Sequence, residues 1–118
     1  MRKRGANYTD AEHSAIARAY LRLAIAQYEG RAVNKAALVR GLRVIMPARS
    51  RGSIEAKFMN FSAAAVASTL LPALPGGYVK GYKPAPNGSK SLSQWLMVAI
   101  ERTHGARLLL NSVKAAAA

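Results

Sequence analysis

At 118 residues the chain is long enough for one domain with a real core and too short for two. Half of it is apolar, which excludes a wholly disordered chain, and the absence of cysteine excludes disulfides and thiolate metal sites. Eighteen Lys and Arg face five Asp and Glu, a formal charge of +13 with a pI near 11.0. A polyanionic partner is therefore expected, nucleic acid first and an anionic membrane surface second.

Met1-Arg-Lys-Arg has the charge of a signal-peptide start, but no apolar stretch follows it, and no run approaches membrane-spanning length. The expectation is a soluble, cytoplasmic, nucleoid-associated protein without a membrane partner. Residues 1–7, with Arg2, Lys3 and Arg4, read as a flexible basic arm. Thr9-Asp10-Ala11-Glu12 is a capping box that opens a helix running to about Glu29 and stopping at Gly30. Its apolar stripe is Ile16, Ala19 or Tyr20, and Leu23, with Arg18 and Arg22 outside. Asn34 can cap a second helix, Lys35 to about Met46, ended by Pro47. Leu38, Leu42 and Ile45, with Val39 and Met46 nearby, are its predicted buried side, and Lys35, Arg40 and Arg43 its solvent or ligand side.

The stretch from Arg49 to Ala63 joins a basic turn to a helix start. Gly52 is read as the bend, Ser53 as N-cap, and Glu55 as a carboxylate suited to the positive end of the helix dipole. The helix is predicted from Ser53 to about Leu71. Ile54, Phe58, Phe61 and Ala65 recur on a core face, and Ser53, Lys57, Asn60 and Ala64 on an outer one. Residues 72–90 hold four of the five prolines and four glycines, and Tyr78 to Pro84 can form a short strand or an extended arm. Ser91-Leu92-Ser93-Gln94 reads as a second capping box, opening a helix to about His104. That helix is apolar nearly all round, so its burial is expected inside the domain or against a second copy through residues 91–104.

The predicted fold is mainly α: a three-helix, helix-turn-helix-like core, a Pro/Gly-rich loop and one or two C-terminal helices. The divisions are the arm at 1–7, a single helical DNA-binding domain at 8–105, and a C-terminal helix or tail at 106–118. Seven cations and one acid lie between Arg31 and Lys57. Duplex DNA binding needs this pairing: cations displace counterions from phosphates, and short polar side chains on a rigid helix reach base edges. Asn60 can pair bidentately with adenine, Arg49 or Arg51 with guanine, and Lys57 with phosphate. Arg40, Arg43, Ser50, Ser53, Lys80, Tyr82, Lys83 and Lys90 complete the expected DNA-binding set. Tyr82 beside Pro84 offers either an apolar wall for a base or a clamp of the loop onto the core.

Tyr8-Thr9-Asp10-Ala11-Glu12, with Tyr20 further on, resembles the opening of Myb/SANT-type DNA-binding domains, although aromatics or Ile stand where those domains usually carry tryptophans. A second pattern runs Arg49-Ser50-x-Gly52-Ser53-Ile54-Glu55-x-Lys57-x-x-Asn60-x-Ser62-Ala63, then Gly81-Tyr82-Lys83-Pro84-Ala85-x-Asn87. It is similar to an N-terminal module of bacterial HNH-type, McrA-like restriction endonucleases and related defence proteins. That resemblance, over roughly residues 8–88, implies DNA recognition rather than chemistry; this chain is far more basic than that module, and no nuclease domain is expected on it.

An enzyme is not expected. Asp10, Glu12 and Glu55 are accounted for by helix starts, His13 and His104 are far apart in sequence, and neither a Walker loop nor GxGxxG is present. No cofactor or metal is expected. The leading expectation is a small double-stranded-DNA-binding protein, regulatory, DNA-organising or defence-related, cellular or phage-borne. The alternatives are an RNA- or ribosome-binding protein and a structural or assembly protein, viral or cellular, that self-associates through the C-terminal helix.

Overall fold

The computed structural model describes residues 8–86 and 90–103. The basic arm with Arg2, Lys3 and Arg4, the Lys90 side chain, Asn87 and everything from His104 onward lie outside the described residues. So do the readings made on them, including the C-terminal helix or tail at 106–118.

The fold is mainly α: α1 (Asp10–Glu29), α2 (Lys35–Ile45), α3 (Arg51–Ala67) and α4 (Ser93–Arg102), with single 3-10 turns at Pro75–Gly77 and Lys90–Leu92. The start of α1 follows from its capping box. Thr9 Oγ1 accepts the Glu12 N–H at 3.1 Å, and Glu12 Oε1 accepts the Thr9 N–H at 2.9 Å. Gly30, at φ 75°, closes it, and the Arg31 N–H returns to the Ala26 carbonyl at 2.8 Å. Asn34 caps α2 by accepting the Ala37 N–H at 3.0 Å, and Pro47 follows its last turn.

The third helix starts earlier than its sequence suggests. Ser50, not Ser53, is the N-cap, its hydroxyl accepting the Ser53 N–H at 3.1 Å. Gly52 is therefore no bend: it lies in the first turn of α3, with open space where a Cβ would stand. The helix also ends sooner, at Ala67. Thr69 takes a left-handed conformation at φ 51°, which lets the Leu70 N–H reach back to the Ala65 carbonyl at 2.9 Å. The start of α4 is shifted as well, from Ser91 to Leu92. A 3-10 turn leads into α4, whose N-cap position is Leu92 without a side-chain cap. Ser93 is turned inward instead, donating to the Ala64 carbonyl at 3.3 Å and bonding Ser68 Oγ at 2.7 Å.

One core joins all four helices. Ile16, Tyr20 and Leu23 of α1 and Val39 and Leu42 of α2 meet Ile54, Phe58 and Phe61 of α3 and Leu96 and Ile100 of α4. Ring centroids of Tyr20 lie 6.2 Å from Phe58 and 6.1 Å from Phe61, within the range of favourable aromatic pairs. Val39 and Met46 are buried beside Leu42, whereas Ile45, expected inside, is 68% exposed. Ala64, expected on the outer face of α3, is buried. The α4 helix buries Leu96, Ala99 and Ile100 and leaves Met97 and Val98 outward, so it is amphipathic rather than buried all round.

No strand occurs among the described residues. Residues 78–86 are irregular and pinned by specific bonds. The buried Tyr20 hydroxyl accepts the Val79 N–H at 3.0 Å and bonds Ser62 Oγ at 2.7 Å. The Lys80 N–H goes to Gln27 Oε1 at 2.8 Å, and the Ala85 N–H to the Met59 carbonyl at 3.1 Å. Backbone groups that a strand would pair are thus satisfied by helix side chains and one helix carbonyl. Among the described residues no helix is long and apolar enough to cross a membrane.

Candidate nucleic-acid interface

The N-terminal half of α3 is held by the start of α1. Arg49, in the turn before α3, forms a bidentate pair with Glu12: Nη2 to Oε1 at 2.8 Å and Nε to Oε2 at 3.0 Å. Its guanidinium also lies 4.0 Å from the centre of the Tyr8 ring, and the Lys57 ammonium stands 4.8 Å from the same ring. Tyr8 further bonds Ser53 Oγ through its hydroxyl at 2.6 Å. The result is a small clasp in which Tyr8 and Glu12 fix the turn and first two turns of α3.

The electrostatics of the clasp follow from this packing. The hydrogen bonds from Arg49 hold the Glu12 carboxyl at about 2, well below its ordinary 4.5, against the opposing effect of burial. The Arg49 guanidinium is held above its ordinary value chiefly by the hydrogen bond to Glu12. Burial, then the Arg49 charge, lowers Lys57. His13 lies between Tyr8, at a ring separation of 5.7 Å, and Trp95 of α4, at 5.8 Å. Its Nε2 is buried and has no hydrogen-bond partner, and burial, followed by the Lys57 charge, pushes it below its ordinary 6.5. In sequence, Glu12 shows only its part in the capping box. A carboxylate in a first helical turn with so few acids to balance eighteen cations was the available signal for a second partner.

These contacts correct one role directly. The Arg49 side chain is only 16% exposed and its charge is matched by Glu12, so it positions α3 rather than offering a free fork to a guanine. Tyr82 is corrected as well. It is 6% exposed, packs on Phe58 at 5.0 Å and carries the Lys35 ammonium over its ring at 4.9 Å, so it is not a wall for a base. The clamp reading of the Tyr82 loop describes it.

Of the other named residues, several come together. Arg43 donates from Nε to the Arg49 carbonyl at 3.0 Å, which places the end of α2 against the turn, with exposed Arg40 one turn earlier. Arg51 is 62% exposed and touches Glu55 at 3.4 Å, a long surface pair of small energetic weight. Ser53, Lys57 and Asn60 are half-buried along one flank of α3. Gly52 and Ala56 are exposed beside them, and Ala63 is half-buried further along, so the outward strip of the helix carries short side chains. Lys80 and Lys83 are exposed on the loop that is fastened to Met59. Lys35 is occupied within the fold, donating to the Lys80 carbonyl at 2.9 Å.

Among the described residues no group of three or more His, Cys, Asp or Glu could hold a metal ion. No family model, no curated protein and no solved structure matches the chain.

Proposed function

We propose that the protein binds double-stranded DNA by laying the N-terminal half of α3 against a groove. The carrying observation is one helix face. Gly52 and Ala56 keep it low, Asn60 adds an amide, and Arg43, Arg51 and Lys57 border it. Short side chains permit close approach to a groove floor, an amide can read adenine, and flanking cations displace counterions from phosphates. The charge of +13 supports a polyanionic ligand of this kind. The α2–turn–α3 order has the spacing of a helix-turn-helix unit, in which the second helix enters the major groove. A regulatory, DNA-organising or defence-related role, with nucleoid association, belongs to this same reading.

Pairing of two copies through α4 has less behind it. Its exposed apolar groups are Met97 and Val98, 47% and 38% exposed, far short of the roughly 800 Å² per partner of a stable interface.

Competition of labelled duplex DNA against duplex RNA and single-stranded RNA in fluorescence anisotropy tests the proposal. Duplex DNA is expected to win, and Asn60→Ala to weaken it by about 1–3 kcal/mol at sites where that amide reads adenine. A preference for either RNA would refute the reading.

A further inference from the structure

We infer that a second ligand site lies beside α3, in the pocket between α3 and the 75–83 loop, and that it takes a single unpaired nucleotide. The pocket measures about 560 Å³ and is bordered by Gln27, Met59, Pro75, Tyr78, Lys80 and Lys83. That size suits a nucleotide-sized ligand, and small-molecule sites share its chemistry of mostly apolar walls with a few polar groups.

Each component of a nucleotide has a counterpart. A base has two flat apolar faces, and the pocket has the Tyr78 ring, the Pro75 ring and the Met59 thioether. The Tyr78 ring is packed close over Gly76: a Cβ on that glycine would stand 2.9 Å from Tyr78 Cε1. Gln27 Oε1 is already engaged by the Lys80 N–H at 2.8 Å, which leaves its amide NH₂ to donate to an acceptor on a base edge. Lys80 and Lys83 are exposed at the rim and suit a phosphate.

The pocket is also pre-formed. The bonds from Val79 to Tyr20, from Lys80 to Gln27, from Lys35 to the Lys80 carbonyl and from Ala85 to Met59 hold its loop without a ligand. Gly81, at φ 97°, holds that loop in a backbone conformation that residues with a Cβ rarely adopt. Bases inside a duplex are stacked and cannot enter such a pocket, so the nucleotide must be unpaired. Met59 lines the pocket and adjoins Asn60, so a strand leaving a duplex on α3 would pass its mouth. This placement rests on the duplex reading above, whereas the chemistry of the pocket does not. The nucleotide can come from a strand end or from solution.

The experiment measures anisotropy with a blunt duplex and with the same duplex carrying a short unpaired tail, and titrates adenosine monophosphate alone, followed by amide shifts. The intact protein is expected to prefer the tailed duplex roughly tenfold. Tyr78→Ala removes that preference while leaving blunt-duplex affinity unchanged, and Tyr78→Phe keeps it. Weaker binding of the mononucleotide than of the tail assigns the site to a strand, and equal or tighter binding assigns it to a free nucleotide. No advantage from the tail together with no mononucleotide binding, or an advantage that survives Tyr78→Ala, overturns the proposal. If tail or mononucleotide binds and the blunt duplex does not, the duplex reading fails and the pocket stands.

Discussion

Two titratable groups in the clasp make opposite kinds of contribution. Glu12 is held low by Arg49, so its pairing stabilises the fold above pH 4.5 and that stabilisation is lost as the pH falls toward 2. Glu12→Gln is expected to cost about 1–2 kcal/mol at neutral pH in a denaturant titration, with the cost fading in strong acid. An unchanged midpoint at neutral pH would mean that the pair contributes nothing. His13 is a buried base whose folded value is depressed below 6.5. As the pH falls through 6.5 the unfolded chain takes up a proton that the folded one refuses, so stability declines on the acid side. His13→Phe removes the charged state and should flatten the pH dependence of the melting temperature just below pH 6.5. A slope that persists in the variant would place its origin elsewhere. Tyr20, outside the clasp, contributes through a buried hydrogen bond. Tyr20→Phe strands the Val79 N–H and is expected to cost about 1–3 kcal/mol by the same titration.

At the scale of the element, α3 carries two glycine-type effects of opposite location. Gly52 sits in its first turn with nothing near a prospective Cβ. Gly52→Ala should therefore stabilise the fold by roughly 0.5–1 kcal/mol. The same methyl would stand on the face proposed to meet DNA, so affinity should fall while stability rises. A gain in both would remove Gly52 from the interface. At the other end, Thr69 is a β-branched residue held at φ 51°. Thr69→Gly should raise the unfolding free energy by about 1 kcal/mol, and a loss would show that the threonine side chain matters more than its backbone strain.

At the scale of the molecule, the helices and most of their core were legible because their signals are local. Thr9 with Glu12, Gly30, Asn34 and Pro47 each act within one helical turn, and the spacing of Ile54, Phe58 and Phe61 marks one buried face. The misplacements came where a long-range partner decided between local options. Ser50 and Ser53 are both competent caps, and Ser53 is instead engaged by Tyr8, forty-five positions away in the chain. Ser91 reads as the start of α4, but the N-cap position falls at Leu92, where Ser93 is drawn inward to the Ala64 carbonyl and Ser68. The same limit governs the site. A run of cations is visible in sequence, but the Arg49–Glu12 pair and the burial of Tyr82 depend on which helices meet. What distinguishes Arg51 from Arg49 is the packing of α1 on α3.

The central claim is that the cations bordering α3 meet the phosphates of a duplex, and the dependence of DNA affinity on salt reads this most directly. With the three bordering cations and the exposed Arg40, Lys80 and Lys83 engaged, log affinity should fall against log salt with a slope of about −5. Arg51→Ala should make that slope shallower by about 1, whereas Arg22→Ala, in a groove between α1 and α2 that no α3 residue borders, should leave it unchanged. A flat dependence in the intact protein, or equal losses for the two substitutions, would contradict the account.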